Sequence, residues 1–502
     1  MLPAPRLLSH LALFLFACLL ITPARADDFR PAVEEALRRS DKQIVIPPGV
    51  YRLAPAGQDK CVWTVRMAAD VEIIADGVTL VSTRLSRAVT LTECRNVTLR
   101  GLTLDYDPLP FTQGRVVAAA EDHSWIDVKI DAGYPRQPYA RIDVVDPATR
   151  YRKWGMPFLW GTRAEVRGDD VVRVLRDGIG KAASVGDLAS LSTGPAPDGI
   201  PHAVELHRCE NTTLRSVTVH SAPGMGMIEA DGEGGNQFLQ CRVVPGPVPA
   251  GATEPRLLST SWDAMQSKTI RRGPRVEGCE IREAGDDSWS VQSSDFLVLR
   301  KTGPTLILAS RDAHTRGVQT GDRLTTVVGA PEAVITARRG LSRDEAGLDD
   351  SIRAKLADAP HWSMWRVAPS CIEVTLDREL AVAAGDSLFS PDRMGNGFVF
   401  ANNRIHSSGR VLIKAAGRVE GNVLDTPHAL VVCPEVPGAA AAGIAGLVIR
   451  GNTIRHAGGF CPAYESSQAG ALSITRGAGA HDLAPAGTFH DLLVEDNLFE
   501  DC

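Results

Sequence analysis

The chain has 502 residues, with 54 Lys and Arg against 60 Asp and Glu and a formal net charge of −6. No block of basic residues stands out, which argues against nucleic acid as a partner. Aromatic residues make up only 5% of the chain while glycines number 46, a composition that favours short stacked strands and turns over helices. A chain of this length forms either several domains or one long solenoid.

The first 26 residues have the pattern of a secretory signal peptide. Arg6 supplies the positive charge, residues 11–21 (LALFLFACLLI) form the apolar centre, and Ala24-Arg25-Ala26 is a small-x-small cleavage site. The apolar run is short for a membrane span. The sequence therefore predicts a secreted or periplasmic protein, cleaved after Ala26 and without membrane contact after cleavage.

The mature chain begins with a predicted helix over residues 28–40. Phe29, Val33, Ala36 and Leu37 recur at helical spacing with charged residues between them. A helix at this place would cover the open end of a solenoid, whose first strand is otherwise an unpaired edge.

A unit of two short strands with a polar or glycine corner recurs along the rest of the chain. It is visible at residues 94–104, 209–219, 235–244, 273–281, 396–405, 416–424, 445–454 and 490–499. Repeats of this kind are typical of solenoids. The segment IPPGVYRL (46–53), followed by these units, resembles the start of right-handed parallel β-helix proteins.

Two residue types recur at the corners of these units. Asparagine occupies one equivalent corner at Asn403, Asn422, Asn452 and Asn497, which predicts a ladder that satisfies backbone groups along the stack. Cysteine stands near the start of four units, at Cys94, Cys209, Cys241 and Cys279. We interpret these as buried, stacked side chains, because no CxxC or histidine spacing supports a metal site.

Two segments of about 90 to 100 residues interrupt the repeat and show antiparallel alternation with turn signals. The fold class predicted is all-β, a right-handed parallel β-helix with two small inserted β-barrel or sandwich domains. The divisions are 1–26 signal peptide, 27–105 cap and first coils, 106–195 first insertion, 196–294 central coils, 295–395 second insertion and 396–502 last coils.

Three carboxylates in the central coils are the candidate catalytic residues. Asp263 lies 23 residues before Asp286, and Asp287 follows directly. If the coil has that period, Asp263 lies one strand spacing, roughly 4.8 Å, from the Asp pair. Like charges so close do not ionise together easily, so one carboxyl keeps its proton near neutral pH. A protonated carboxyl beside an ionised one is what glycoside hydrolysis requires.

Several side chains near these acids are candidates for sugar binding. Trp262 and Trp289 flank the acids, and an indole packs on the apolar face of a sugar, although either Trp can instead be a core residue. Gln292 follows on the same strand, and His207 shares a strand face with Glu205. Asp105 and Asp107 are interpreted as braces for the corner where the first insertion begins, with contact to sugar hydroxyls as the alternative.

Residues 94–114, 217–228 and 257–294, with the later RVLIKAAGRVEGNVL (410–424), resemble glycoside hydrolase family 110. The resemblance covers most of the mature chain in order, including the two insertions. It is most specific at RLLST-x-x-D-A, G-x-x-x-x-x-C and D-D. It implies a β-helix with inserted β-barrels and an exo-acting, inverting α-galactosidase.

By this resemblance Asp286 is the general acid, while Asp263 and Asp287 hold and deprotonate the attacking water. The chain departs from the family after the Asp pair, where SWSVQSS replaces the usual Asn and His. The family's later Trp and Glu have no clear match, and Glu435 is offered as a substitute for the glutamate.

Two other functions remain open from the sequence. A polysaccharide lyase or uronan epimerase on the same fold would use a basic residue, and Arg271 and Arg272 lie near the acids. A non-catalytic carbohydrate-binding protein would bind glycans without turnover, since fold alone does not fix function. The partner expected in all cases is an oligo- or polysaccharide. The glycosidase needs no cofactor and no metal, whereas a lyase or epimerase often uses Ca²⁺ or an arginine to neutralise charge, and the oligomeric state is left open.

Overall fold

The computed structural model describes residues 28–153, 156, 159, 161–168, 170–194, 200–293, 295–310, 317–326, 330–342, 344–347, 370–428, 430–432, 443–458, 470–475, 487 and 489–502. In these residues three long parallel sheets form the faces of one coil, the parallel β-helix that the repeat predicts. The predicted signal peptide lies outside the described residues. Within them, no helix is long and apolar enough to cross a lipid bilayer.

The predicted cap helix forms over Arg30–Arg38 (α1) and buries Val33 and Ala36. Phe29, just before it, makes edge contacts with Tyr51 and Trp63 at centroid distances of 5.1 and 5.0 Å. The helix therefore covers the apolar interior of the first coil. The strands of the first coils are Gln43–Val45 (β1), Gly49–Leu53 (β2), Cys61–Arg66 (β3), Ala69–Ile74 (β4), Val78–Ser82 (β5), Arg87–Thr92 (β6), Arg95–Arg100 (β7) and Thr103–Tyr106 (β8).

The first insertion is a six-stranded antiparallel barrel. Its elements are Phe111–Ala119 (β9), Trp125–Ile130 (β10), Arg141–Val145 (β11), Arg163–Arg167 (β12), Val171–Leu175 (β13), the short helix Ile179–Ala182 (α2) and Leu188–Ser192 (β14). The strand order is β11-β14-β9-β10-β13-β12. The two end strands meet where the N–H of Thr162 donates to the carbonyl of Ala140 at 2.8 Å, which closes the barrel.

The coil resumes after this barrel and continues to the second insertion. Its central strands are Val204–His207 (β15), Thr213–Arg215 (β16), Thr218–Val219 (β17), Met227–Ala230 (β18), Gln237–Leu239 (β19), Arg242–Val243 (β20), Met265–Lys268 (β21), Arg275–Glu277 (β22), Glu280–Arg282 (β23) and Trp289–Gln292 (β24).

The second insertion is also a barrel, with strands Asp295–Thr302 (β25), Thr305–Ser310 (β26), Arg323–Leu324 (β27), Ala333–Leu341 (β28), Ser370–Leu376 (β29) and Ser387–Phe389 (β30). Thr325 and Phe389 exchange two backbone hydrogen bonds, 3.1 and 3.0 Å, and close it. A buried ion pair anchors it to the coil, since Arg393 donates to Asp322 at 2.7 Å and to the carbonyl of Gly232 at 3.0 Å.

The last coils contain Phe398–Ala401 (β31), Arg404–His406 (β32), Val411–Ile413 (β33), Gly417–Glu420 (β34), Val423–Asp425 (β35), Leu430–Val432 (β36), Ile444–Arg450 (β37), Thr453–Arg455 (β38), Leu472–Ile474 (β39), Phe489–Glu495 (β40) and Leu498–Glu500 (β41). The first sheet is β1-β4-β7-β16-β19-β22-β31-β34-β37-β40, the second β2-β5-β8-β17-β20-β23-β32-β35-β38-β41 and the third β3-β6-β15-β18-β21-β24-β33-β36-β39.

Side chains alternate between the interior and the outside of the coil, as the pleat of a strand requires. In the third sheet the inward row consists of Val204, Met227, Met265, Trp289, Val411 and Leu430. The residue after each of these faces outward. This alternation decides which residues of the third sheet can meet a substrate.

The predicted asparagine ladder is present at the corner that leads into the second sheet. The backbone N–H of Asn403 donates to Oδ1 of Asn422 at 2.9 Å, and that of Asn422 donates to Oδ1 of Asn452 at 3.0 Å. Asn452 makes the same bond to Asn497 at 3.1 Å. Each side-chain amide also donates to a carbonyl of the preceding coil, so the ladder satisfies buried backbone groups on several rungs.

The four stacked cysteines are buried and free of disulfides, at two corners of the coil. Cys94 and Cys209 precede strands of the first sheet, and Cys241 and Cys279 precede strands of the second. Each thiol approaches a backbone carbonyl, for example Cys279 and Phe238 at 3.3 Å. They serve as small apolar side chains in the core, as the sequence predicts.

One carboxyl lies inside the coil. Glu229 on β18 stacks between Leu206 and Ser267, is 0% exposed, and accepts a 2.8 Å hydrogen bond from Asn236. Burial raises the pKa of Glu229 from 4.5 to about 7. Between pH 4.5 and about 7, the Glu229 carboxyl therefore keeps its proton in the folded protein and loses it in the unfolded chain.

This carboxyl is expected to make stability fall as the pH rises from about 4.5 to about 7, because the folded state binds more protons there. Over this pH range the free energy of unfolding of the Glu229→Gln variant should decrease by up to ~3 kcal/mol less than that of the wild type. Urea unfolding of both proteins across this pH range measures the effect. The Glu280→Gln variant, changed on the outside of the coil, is the control, and parallel pH profiles for wild type and Glu229→Gln would contradict the expectation.

Candidate active site

The candidate acids lie where two neighbouring strands of the third sheet begin. Met265 of β21 pairs with Trp289 of β24, so Asp263 and Asp287 occupy the same position on consecutive rungs. The N–H of Ala264 donates to the carbonyl of Asp287 at 2.8 Å. Asp263 therefore lies one rung from the Asp pair, as expected, and Asp287 is the member of the pair in register with it. The rung is 24 residues long, one residue more than the spacing between Asp263 and Asp286.

Both stacked carboxylates are buried and held by neighbouring side chains. Asp263 is 6% exposed and accepts a 3.0 Å hydrogen bond from Nε2 of Gln266. Asp287 is 5% exposed and pairs with Nε of Arg410 at 2.7 Å. Arg410 belongs to the next rung. These contacts give each carboxylate a fixed orientation at the start of its strand.

The Asp286 carboxyl lies among charged side chains of the first barrel and of the next rung. Burial raises the pKa of the Asp286 carboxyl, and the nearby Asp143 raises it further, while the guanidinium groups of Arg141, Arg152 and Arg410 oppose this. A raised pKa suits a carboxyl that gives up a proton during a reaction.

Two glycines let the Asp286 turn pack this closely. A Cβ at Gly285 would lie 2.6 Å from the carbonyl oxygen of Thr260, and one at Gly409 would overlap the carbonyl oxygen of Asp286. Any larger residue at either place would push the acid-bearing turns apart. The glycine before the Asp pair is thus required by close approach between rungs.

The two tryptophans have different positions. Trp262 is half-buried and directly precedes Asp263. Trp289 is 0% exposed and stacks on Phe400 inside the coil, with ring centroids 4.5 Å apart and planes at 9°. The expectation that Trp289 binds substrate is therefore wrong. It belongs to the inward row, because it starts β24 in register with Met265.

Gln292 and His207 face outward on the third sheet, as expected for residues that meet a ligand. Gln292 pairs in register with Lys268 on the preceding rung. His207 Nε2 lies 3.7 Å from the buried carboxylate of Asp231. Its partner in the sequence pattern, Glu205, pairs with Arg87 at 3.0 Å. Glu435 lies outside the described residues.

The other acids and bases singled out from the sequence have structural partners. Asp105 accepts two hydrogen bonds of 2.9 Å from Arg256 and braces the start of the first barrel. Asp107 pairs with Arg52 at 2.5 Å. Arg271 binds Asp322 at 2.5 Å and Arg272 binds Glu210 at 3.0 Å. These arginines serve contacts other than the acid cluster.

Four residues near the acids were missed by reasoning from the sequence: Arg141, Arg152, Arg410 and His428. Arg410 stands in the segment GRVLIKAAG, and the sequence pointed to this segment only through the family resemblance of residues 410–424. His428 is 1% exposed, and burial, with Arg410 and Arg152 nearby, holds its pKa well below the usual value. Its imidazole is therefore neutral at physiological pH.

No known protein family and no curated protein matches this chain. Solved structures do match. The A-module of mannuronan C-5 epimerase AlgE4 from Azotobacter vinelandii is 12% identical, with 95% of this chain and 92% of that chain covered and a TM-score of 0.31. The polygalacturonase of Erwinia carotovora ssp. carotovora is 8% identical, with 95% and 93% covered and a TM-score of 0.28.

A surface adhesin of Streptococcus pneumoniae, PfbA, is also similar, at 8% identity, 94% and 90% coverage and a TM-score of 0.24. At these identities and scores the likeness assigns no activity to this chain. Its class is that of the parallel β-helix proteins with inserted barrels, as its own strand pairing defines it. Among the described residues, no group of three or more His, Cys, Asp or Glu side chains is arranged to hold a metal ion.

Proposed function

We propose that this protein is an exported glycoside hydrolase that releases a terminal sugar from glycans with inversion, acting as an exo-α-galactosidase. The observation that carries the proposal is the grouping of three carboxyls at the starts of two neighbouring strands of the third sheet. Asp287 is paired with Arg410 and Asp263 with Gln266, while burial raises the pKa of Asp286. One proton donor beside two oriented carboxylates is the set that inverting hydrolysis uses.

In this mechanism Asp286 gives its proton to the oxygen of the leaving group. Asp263 and Asp287, stacked on consecutive rungs, hold a water molecule and take its proton as it attacks the opposite side of the sugar. Trp262 packs against the apolar face of the sugar. Gln292 and His207 contact its hydroxyl groups from the same outward face of the third sheet.

Proton NMR of the reaction tests this proposal directly. We expect α-galactosyl disaccharides of the preferred linkage to yield β-galactose first, which then equilibrates to the mixture of anomers. Initial release of α-galactose would contradict the inverting mechanism. The absence of galactose release from all linkages would overturn the α-galactosidase proposal.

A second candidate function is a lyase or epimerase that acts on acidic polysaccharides. Lys268 and Lys414 lie on either side of Gln292 on the outward face and are 7% and 8% exposed. Buried ammonium groups on a substrate-facing surface suit sugars that carry carboxylates.

Polyuronates distinguish this candidate from the first. A lyase produces unsaturated sugars that absorb in the ultraviolet, and an epimerase changes the anomeric signals of the polymer without shortening it. Either result with polyuronates, together with no galactose release, would favour the second candidate over the hydrolase.

A further inference from the structure

The first barrel reaches the acid cluster through one buried guanidinium group. Arg141, the first residue of β11, is 0% exposed. Its Nη1 donates to the carbonyl of Ser261, and its Nη2 donates to the carbonyl of Gly285. Ser261 stands two residues before Asp263, and Gly285 directly precedes Asp286. One side chain therefore joins the two turns that carry the acids.

A second arginine of the same barrel reinforces this contact. Arg152 Nη2 donates to the carbonyl of Gly285 at 2.9 Å, and its Nε donates to Asp143 at 3.0 Å. Asp143 also lies 3.4 Å from Nη2 of Arg141. The carboxylate between the two arginines orients both of them and partly balances their charge.

These contacts do more than attach the barrel to the coil, because they reach the turns that carry the acids. Gln113 of β9 also attaches the barrel to the coil, since its Nε2 donates to the carbonyl of Pro255 at 3.0 Å and its Oε1 accepts from the N–H of Leu257 at 2.8 Å. Arg141 and Arg152 contact backbone carbonyls within two residues of Asp263 and Asp286. Their fully buried positions leave little freedom for either turn to move independently.

We infer that Arg141 and Arg152 are positioning residues for the reaction, and that the first barrel completes the active site by holding the Asp263 and Asp286 turns in one geometry. The inference rests on the proposed function for its catalytic meaning. The geometry itself is a property of the fold. The barrel is then an obligatory part of the catalytic unit and not a separate binding module.

The arginines also set the proton affinity of Asp286. The charged groups around its carboxyl are Arg141, Arg152 and Asp143 from the barrel, Arg410 from the next rung, and the adjacent Asp287. Removing one positive charge should raise the pKa of Asp286 by about 1 pH unit. A variant that keeps the positive charge but lacks the two N–H donors of the guanidinium group separates the effect on the pKa of Asp286 from the positioning of the turns.

The test uses Arg152→Gln, which loses the charge, and Arg141→Lys, which keeps the charge but loses the two-pronged contact. The control is Arg256→Gln, which removes a buried arginine of the coil whose guanidinium group pairs with Asp105. Carbon NMR of protein labelled at the aspartate carboxyl carbons follows Asp286, whose signal is identified with Asp286→Asn. This measurement needs no substrate, so it distinguishes the inference from the proposed function.

We expect the Asp286 signal to titrate about 1 pH unit higher in Arg152→Gln and unchanged in Arg256→Gln. On the substrate identified by galactose release, Arg141→Lys should lower kcat about 10²-fold with little change in KM. In Arg152→Gln the basic limb of the pH profile should move to higher pH, because Asp286 must be protonated to act.

Two results would overturn the inference. An equal change of the Asp286 titration in Arg256→Gln and Arg152→Gln would mean that both variants only loosen the fold. Wild-type kcat in Arg141→Lys would mean that the bridge between the turns does not position the acids. If the wild type releases no sugar, the proposed function fails, and the titration of Arg152→Gln against Arg256→Gln still decides whether the arginines govern Asp286.

Discussion

Replacing Asp286 by Asn is expected to lower kcat/KM on α-galactosyl disaccharides about 10³-fold at neutral pH. The amide has no proton to give to the leaving oxygen, while its size matches the carboxylic acid. The loss should be much smaller on aryl galactosides with acidic leaving groups, because these depart without protonation. Steady-state kinetics on the two substrate types measure this difference, which marks Asp286 as the acid and not as a general support of the site.

The matched control for this variant is Asp127→Asn. Asp127 is a carboxylate of the first barrel that pairs with Arg173 at 2.7 Å, away from the acids. Activity of Asp127→Asn should stay near the wild-type value on both substrates. An equal loss on disaccharides and aryl galactosides in Asp286→Asn would refute the role of proton donor and point to Asp286 as a base or a binding residue.

The largest effect on stability is expected at the asparagine ladder. Asn422 is 1% exposed, and its Oδ1 accepts hydrogen bonds from the backbone and the side-chain amide of Asn403, both at 2.9 Å. Its Nδ2 donates to the carbonyl of Phe400 and to Oδ1 of Asn452, both at 2.9 Å. Asn422→Ala leaves four buried polar groups without these partners, which should cost ~3 kcal/mol or more. Denaturant unfolding followed by far-ultraviolet circular dichroism measures the loss.

Asn402→Gly is the control for the ladder. Asn402 is an exposed neighbour on the same corner with a φ of 56°, a backbone conformation that glycine accepts easily. Its unfolding midpoint should remain close to the wild-type value. If Asn402→Gly destabilises the protein as much as Asn422→Ala, the ladder has no special role and the corner is merely sensitive to substitution.

The coil could be predicted because its determinants are local and repeated. A corner residue such as Asn422 or Cys279 has the same surroundings as the equivalent residue on the next rung, so the same residue type recurs at that position. The candidate acids could be singled out for a related reason. Asp263 and Asp287 occupy equivalent places in successive units, and the Asp pair after a glycine is conspicuous in a strand-rich sequence.

Three-dimensional contacts decided the remaining features of the site. Trp289 lies inside the coil because the length of the turn before β24 sets the register of that strand. A shift of the register by one residue would place Trp289 on the outward face, since successive side chains of a strand point to opposite faces. Arg141 and Arg152 meet Gly285 across more than a hundred residues of sequence, from a barrel with its own core. The sequence by itself determined the coil, its ladders and the acidic residues. Only the tertiary structure decided the register of the acids and the arginines that hold them, because both depend on how separate segments pack against each other.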